Sequence, residues 1–304
     1  MTHFRLLASL LVVSLLGACA STAPAPPAVS VGDSRIVFDR LHPRANLHHE
    51  DFADLNAIGV LAPLDVGAQR VRGFGSGGLI DACHVLTAQH VGYGWAGDFE
   101  SPPPLGQAVE FLVGQTEPSE HNKTEGLKFV RFGTVTAYGG SAQHHDTSDS
   151  PELDWAIVTL SENVPGIKAL ELLGLNPPDK GRNWARDQDD AVGVAGFPGD
   201  HRDPVLEKSH AALWGSFGKV LGVYYNPDSG YAYFTATVAG TRGASGGIFF
   251  ARQGEHYAAV GILQGRGGDG IHHLDTQPSV GVLLTPKLIK AVHAAQLKTP
   301  CSAS

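Results

Sequence analysis

From Ala57 onward the apolar stretches are short, and Gly, Pro, Asn or Asp closes almost every one. "AIGVLAPL", "GSGGLI", "CHVLTA", "VEFLV", "FVRFGTVTAY" and "DWAIVTL" form a first group. "AVGVAGF", "ALWGSFGKVLGVYY", "YAYFTATVA", "GGIFFA", "AAVGILQG" and "SVGVLLT" form a second. Alternating or β-branched runs of this length, bounded by turn residues, read as strands. The 38 glycines and 19 prolines follow no period, which suits turn-rich sheet better than a helical bundle. Only "TPKLIKAVHAAQLK" reads as a helix: Thr285 can cap it, Pro286 suits its first turn, and Leu288, Ile289, Val292 and Ala295 share one face. The expected fold is all-β, two six-stranded β-barrels followed by a C-terminal helix. The barrels take residues 51–164 and 191–284, the polar, proline-bearing segment 165–190 connects them, and the helix takes 285–298.

The first fifty residues have a different character. Arg5, an apolar stretch from Leu6 to Leu16 and small residues after it have the layout of an export signal, residues 1–18, and the stretch is too short for a membrane span of about 20 residues. Leu16-Gly17-Ala18-Cys19 resembles the lipobox of bacterial lipoproteins, which implies a lipid on Cys19; ordinary cleavage near Ala18-Cys19-Ala20 is the alternative. Residues 19–50 are expected to form a tether and N-terminal arm, in which "ASTAPAPPAVS" after Cys19 is a semi-rigid spacer. These features place the protein in the cell envelope, or secreted from it, touching membrane only through a lipid anchor. Two further cysteines, Cys83 and Cys301, invite pairing in an oxidising compartment, and the sequence equally allows two independent thiols.

A net charge of −8 with no long Lys/Arg cluster excludes a nucleic-acid partner that needs a basic footprint. "RGFGSGGLI" lacks the Gly-Lys-Ser/Thr ending of a phosphate loop, so no nucleotide cofactor is expected. The pairs His48-His49, His144-His145 and His272-His273 complete no ligand set at zinc-like spacing, so no metal is expected either.

Three stretches carry chemistry. In "TRGASGGIFF" a serine, Ser245, stands among glycines directly ahead of an apolar run. Such a cluster marks a tight turn or a close backbone approach. A serine hydroxyl is a weak nucleophile at neutral pH and needs a base with an orienting group behind it. His90 in "VLTAQH" is the candidate base. Asp154 in "ELDWAIVTL", an acid entering a strand fit for burial, is the candidate orienter, because a buried carboxylate requires partners.

"VLTAQH" resembles the Val-Leu-Thr-Ala-Ala-His of the trypsin/chymotrypsin-like serine peptidases, "LDWAIVTL" is similar to their Asp-Ile-Ala-Leu strand, and "GASGG" to their Gly-Asp-Ser-Gly-Gly. The chain order His, Asp, Ser is that family's, and other serine-hydrolase folds use other orders. The resemblance covers about residues 55 to 298. It implies chymotrypsin-type barrels and a serine endopeptidase acting on polypeptides through an acyl-enzyme, without a cofactor, as a monomer. Ser245 would be nucleophile, His90 base and Asp154 its orienter, with an oxyanion hole from the N–H groups of Gly243 and Ser245. A catalytically silent binding module of the same fold at the cell surface is the second reading.

"GVAGFPGD" resembles a segment of the bacterial glutamyl endopeptidases, and "VGILQG" their pocket-lining strand. Leu263 stands where that subgroup has a histidine, and Ala239 where trypsins carry an acid. Ala239, Gly240, Leu263, Gly265 and Gly281 are expected to line an uncharged pocket, its walls left open by Gly265 and Gly281. Arg242, beside the oxyanion hole, is a candidate to favour an acidic residue. "RIVFD" lacks the glycines of the family's activation sequence, so activation by a new N-terminus is not expected.

Overall fold

A computed structural model describes residues 45–46, 52–65, 70–71, 74–93, 105–115, 127–139, 150–176, 191–197, 213–238, 240, 243–266 and 278–302. Twelve principal strands appear. Those of the first barrel are β1 (Ile58–Asp65), β2 (Gly75–Leu79), β3 (His84–Thr87), β4 (Ala108–Gln115), β5 (Leu127–Tyr138) and β6 (Ala156–Leu160). Those of the second are β7 (Ala191–Gly196), β8 (Trp214–Asn226), β9 (Tyr231–Ala236), β10 (Ile248–Gln253), β11 (His256–Arg266) and β12 (Ser279–Leu283). The segments read as strands from the sequence each supply one.

All the barrel pairings are antiparallel. The first barrel runs β1-β2-β3-β6-β5-β4 and closes where Val60 of β1 pairs with Leu112 of β4. The second runs β7-β8-β9-β12-β11-β10 and closes where Val194 of β7 pairs with Phe249 of β10. The two circuits are the same, one after the other along the chain. Closure gives each strand hydrogen-bonding neighbours on both sides and directs one face inward. Leu61, Phe111 and Val158 fill the first interior, and Phe234 and Phe249 the second, all at most 1% exposed.

Segments outside the barrels join the sheets. Ala45–Asn46, in the expected N-terminal arm, pairs with Trp214–Gly215 of β8. Glu171–Leu172, in the expected connector, runs parallel to Ala258–Ala259 of β11, while Leu170 donates its N–H to Leu79 of the first barrel. The front of the connector is therefore fastened to both barrels.

The C-terminal helix spans Pro286–Lys298, here α2, since a five-residue α1 (Gln89–Tyr93) follows β3. The Thr285 hydroxyl caps α2 by accepting from the N–H of Leu288 at 3.2 Å. Leu288, Val292 and Ala295 are buried, at i, i+4 and i+7, and Ile289 packs at their edge. Past α2, Cys301 forms a disulfide with Cys83, at the entry to β3 and 218 residues earlier. Cys19 and the other residues of the expected export signal lie outside the described residues.

Candidate functional site

Register decides where the first two site residues go. In the β3–β6 ladder Thr87 pairs with Ala156. The strands are antiparallel, so continuing forward from Thr87 and backward from Ala156 leads out of the same end of the barrel. His90 lies three residues beyond Thr87, and Asp154 two before Ala156. A 3-10 turn at Pro151–Leu153 ends at Asp154 and sets its approach. The carboxylate is fully buried and accepts two hydrogen bonds from one residue: His90 Nδ1–H at 2.8 Å and the His90 backbone N–H at 3.1 Å. Binding Nδ1 in this way leaves Nε2 as the unprotonated nitrogen of the neutral ring. The ring stays 20% exposed. Burial works against a charged imidazole, but the charge and hydrogen bond of Asp154 outweigh it and hold the His90 pKa above its ordinary 6.5.

Ser245 comes from the other barrel, on a turn of residues 243–246 leading into β10. Gly243 and Gly246 have φ of +87° and +79°, in the left-handed region that side chains disfavour. The turn is fastened on both sides. On its own barrel, Gly246 N–H donates to Leu263 at 2.7 Å and Gly247 N–H to Ala244 at 2.8 Å. On the first barrel, Ser76 N–H of β2 donates to the Ser245 carbonyl at 2.7 Å. A Cβ on Gly246 would collide with the Ser76 carbonyl and the Thr87 hydroxyl, and would lie 3.2 Å from the amide of Ala88. The residue after Ser245 therefore rests on the chain two residues before His90. The structure thus gathers all three residues singled out for chemistry at the junction of the barrels, with His90 and Asp154 in direct contact.

The pocket residues fare differently. Leu263 is 1% exposed, and its methyl carbons would lie 3.3 Å from a Cβ on Gly240; the Ser279 hydroxyl would lie 2.8 Å away. Ser279, which the sequence did not flag, donates to the Val238 carbonyl at 2.8 Å and accepts from Gly240 N–H at 3.0 Å. Gly265 faces open space. Gly281 does not: a Cβ there would meet the rings of Phe249 at 2.5 Å and Phe234 at 3.0 Å, so this glycine makes room for core aromatics. The cause is an irregularity in the β11–β12 ladder. Leu263 pairs with Gly281, yet Gly265 pairs with Val280, so the two glycines do not share a regular face. Ala239 and Arg242 lie outside the described residues, as do the three His-His pairs.

Among the described residues one group could offer metal donors: Asp81, Cys83, His84 and Cys301, with ligand atoms within 4.8 Å of one another. Its sulfurs are joined, and His84 Nδ1 contacts the Asp81 carboxylate at 2.7 Å. The Asp81 pKa falls from 3.8 to about 2: burial opposes this, and the His84 side chain, the N–H groups of Cys83 and His84, and the charge of His84 together prevail. Gln296 of α2 donates to the same carboxylate at 2.6 Å, and His84 Nε2 lies 2.9 Å from the carbonyl of Thr299. The cluster as it stands fastens the C-terminus to the first barrel.

No protein-family model and no curated protein matches the chain. Among solved structures, a Glu endopeptidase in complex with MPD superposes with a TM-score of 0.53 at 17% identity, covering 88% of this chain and 100% of its own. The thermostable serine protease AL20 from an extremophilic microorganism gives 0.50 at 17%, covering 81% and 100%. At this identity the likeness speaks to architecture. The chain has the chymotrypsin-like fold, two closed six-stranded antiparallel barrels and a C-terminal helix. Its structural neighbours are serine proteases of that fold.

Proposed function

We propose that this protein is a serine endopeptidase, with Ser245 as nucleophile, His90 as general base and then acid, and Asp154 as the group that orients the ring. The observation that carries this reading is the buried Asp154 carboxylate bound to His90 Nδ1 and to the His90 N–H, at the place where the Ser245 turn rests on the first barrel. In that arrangement Nε2 takes the Ser245 proton as Oγ attacks a peptide carbonyl, and Asp154 stabilises the imidazolium that forms. The developing oxyanion would lie against the N–H groups of Gly243 and Ser245. Nε2 then gives its proton to the leaving amine, and water repeats the sequence to release the acyl group.

Leu263 and Ser279 close the space beside Gly240 while Gly265 stays open, which favours a small, uncharged side chain before the scissile bond. The export-like N-terminus and the Cys83–Cys301 disulfide both support action in an oxidising, extracytoplasmic compartment. The deciding experiment is labelling with a fluorophosphonate probe. Wild-type protein should label and Ser245→Ala should not. Well-folded wild-type protein that fails to label would leave the silent binding module as the better reading.

A further inference from the structure

The glycine-rich segment around Ser76 has no part in the triad, yet every polar atom of that serine is engaged around it. Ser76 lies in β2 and is fully buried. Its hydroxyl accepts from the Phe197 N–H at 2.8 Å, just past the end of β7, and donates to the Gly243 carbonyl at 3.0 Å. Its own N–H donates to the Ser245 carbonyl at 2.7 Å, and its carbonyl accepts from the Thr87 hydroxyl at 2.7 Å. One residue of the first barrel thus holds the carbonyls of both Gly243 and Ser245 on the second.

These two carbonyls belong to the peptides on either side of the Ala244–Ser245 peptide, whose N–H is one of the two proposed oxyanion donors. With φ of +87° at Gly243 and +79° at Gly246, the turn has backbone freedom to settle otherwise. The geometry points to Ser76 as a positioning residue for the oxyanion hole: its hydroxyl sets the direction of the Gly243 carbonyl while its amide sets that of Ser245. Gly196 leaves this arrangement its room, because a Cβ there would lie 3.0 Å from Ser76 Oγ and 3.1 Å from the Ala244 carbonyl. Ser76 touches neither substrate nor reacting atoms. Its loss should weaken binding of the tetrahedral transition state and leave ground-state binding along β11 intact. This inference rests on the peptidase reading.

The test compares wild type, Ser76→Ala and Ser76→Thr, each shown to be folded by circular dichroism and gel filtration, on a fluorogenic peptide and a peptide aldehyde. For Ser76→Ala, kcat should fall about 10- to 100-fold, less than removal of an oxyanion donor causes, with KM moving less than about threefold. Affinity for the aldehyde, which binds as a tetrahedral adduct, should fall in parallel with kcat/KM. Ser76→Thr, which keeps the hydroxyl, should recover most of the lost turnover. If Ser76→Ala does not fold, Ser76→Gly serves in its place. An unchanged kcat, a loss carried by KM, or a threonine variant no better than alanine overturns the assignment while the peptidase reading stands. A wild-type protein that neither turns over nor labels defeats the peptidase reading, and this inference with it.

Discussion

Replacing Cys83 and Cys301 together by alanine should remove a large part of the protein's stability. The bridge closes a loop with a sequence separation of 218 residues. In the chain-entropy account, a cross-link over that span denies the unfolded chain about 5 kcal/mol of conformational freedom at 25 °C. The docking of the C-terminus does not vanish with the bridge. Gln296 still reaches Asp81, His84 still reaches Thr299, and the hydroxyls of Thr159 and Thr299 remain 2.8 Å apart. Truncating Cys83, which is 1% exposed, adds a small packing loss. A net loss of about 3 to 5 kcal/mol is therefore expected from equilibrium guanidinium unfolding without reductant. Wild type in a phosphine reductant should move onto the curve of the variant, and the variant should ignore the reductant. Coincident curves for variant and wild type would refute the reasoning outright. A destabilised variant beside a wild type indifferent to reductant would assign the effect to packing instead of the cross-link.

In the proposed mechanism the neutral ring of His90 is the base, and its pKa is raised above 6.5, so kcat/KM should rise with pH through a midpoint above that value. Asp154→Asn should move the midpoint downward and cut kcat by a factor on the order of 10,000, measured as a pH–rate profile on a peptide substrate. The stability linked to protonation of His90 runs the other way: it is complete below the unfolded value near 6.5 and disappears as pH climbs through the folded one. Gly246→Ala should cost more than about 2 kcal/mol by thermal or chemical unfolding, because it adds a left-handed strain to a collision with the Ser76 carbonyl and the Thr87 hydroxyl. A soluble Gly246→Ala variant with wild-type stability would mean that the turn does not lie on β2 and β3 as described.

The strands were legible because alternation and turn residues are local signals; the segment "SVGVLLT", for example, contains β12 at Ser279–Leu283. The contact of His90 with Asp154 was legible for another reason: with Ser245 they were singled out because the proposed chemistry requires those residue types and the motifs around them resemble a known pattern. What escaped depends on tertiary contacts. Ser76 reads as one more small residue in a glycine-rich run, and only the facing carbonyl of Gly243 and N–H of Phe197 give its hydroxyl a purpose. Gly281 was read as a pocket wall because nothing in the sequence marks the irregularity between Leu263 and Gly265 that changes the pairing. Cys83 and Cys301 carry no information about each other at a separation of 218 residues, so their pairing stayed open until the two ends were seen together.

The division of the site between the barrels has a temporal consequence. A ribosome completes Asp154 and His90 long before Ser245, so the imidazole–carboxylate pair can assemble in a nascent chain that has no hydroxyl to activate. Cys301 follows later still, so the covalent latch to the first barrel cannot close before all three of those residues have been made. Under the proposed mechanism, a half-made molecule, or one whose barrels have docked askew, would leave its neighbours intact, because hydrolysis would require the whole architecture to have come together.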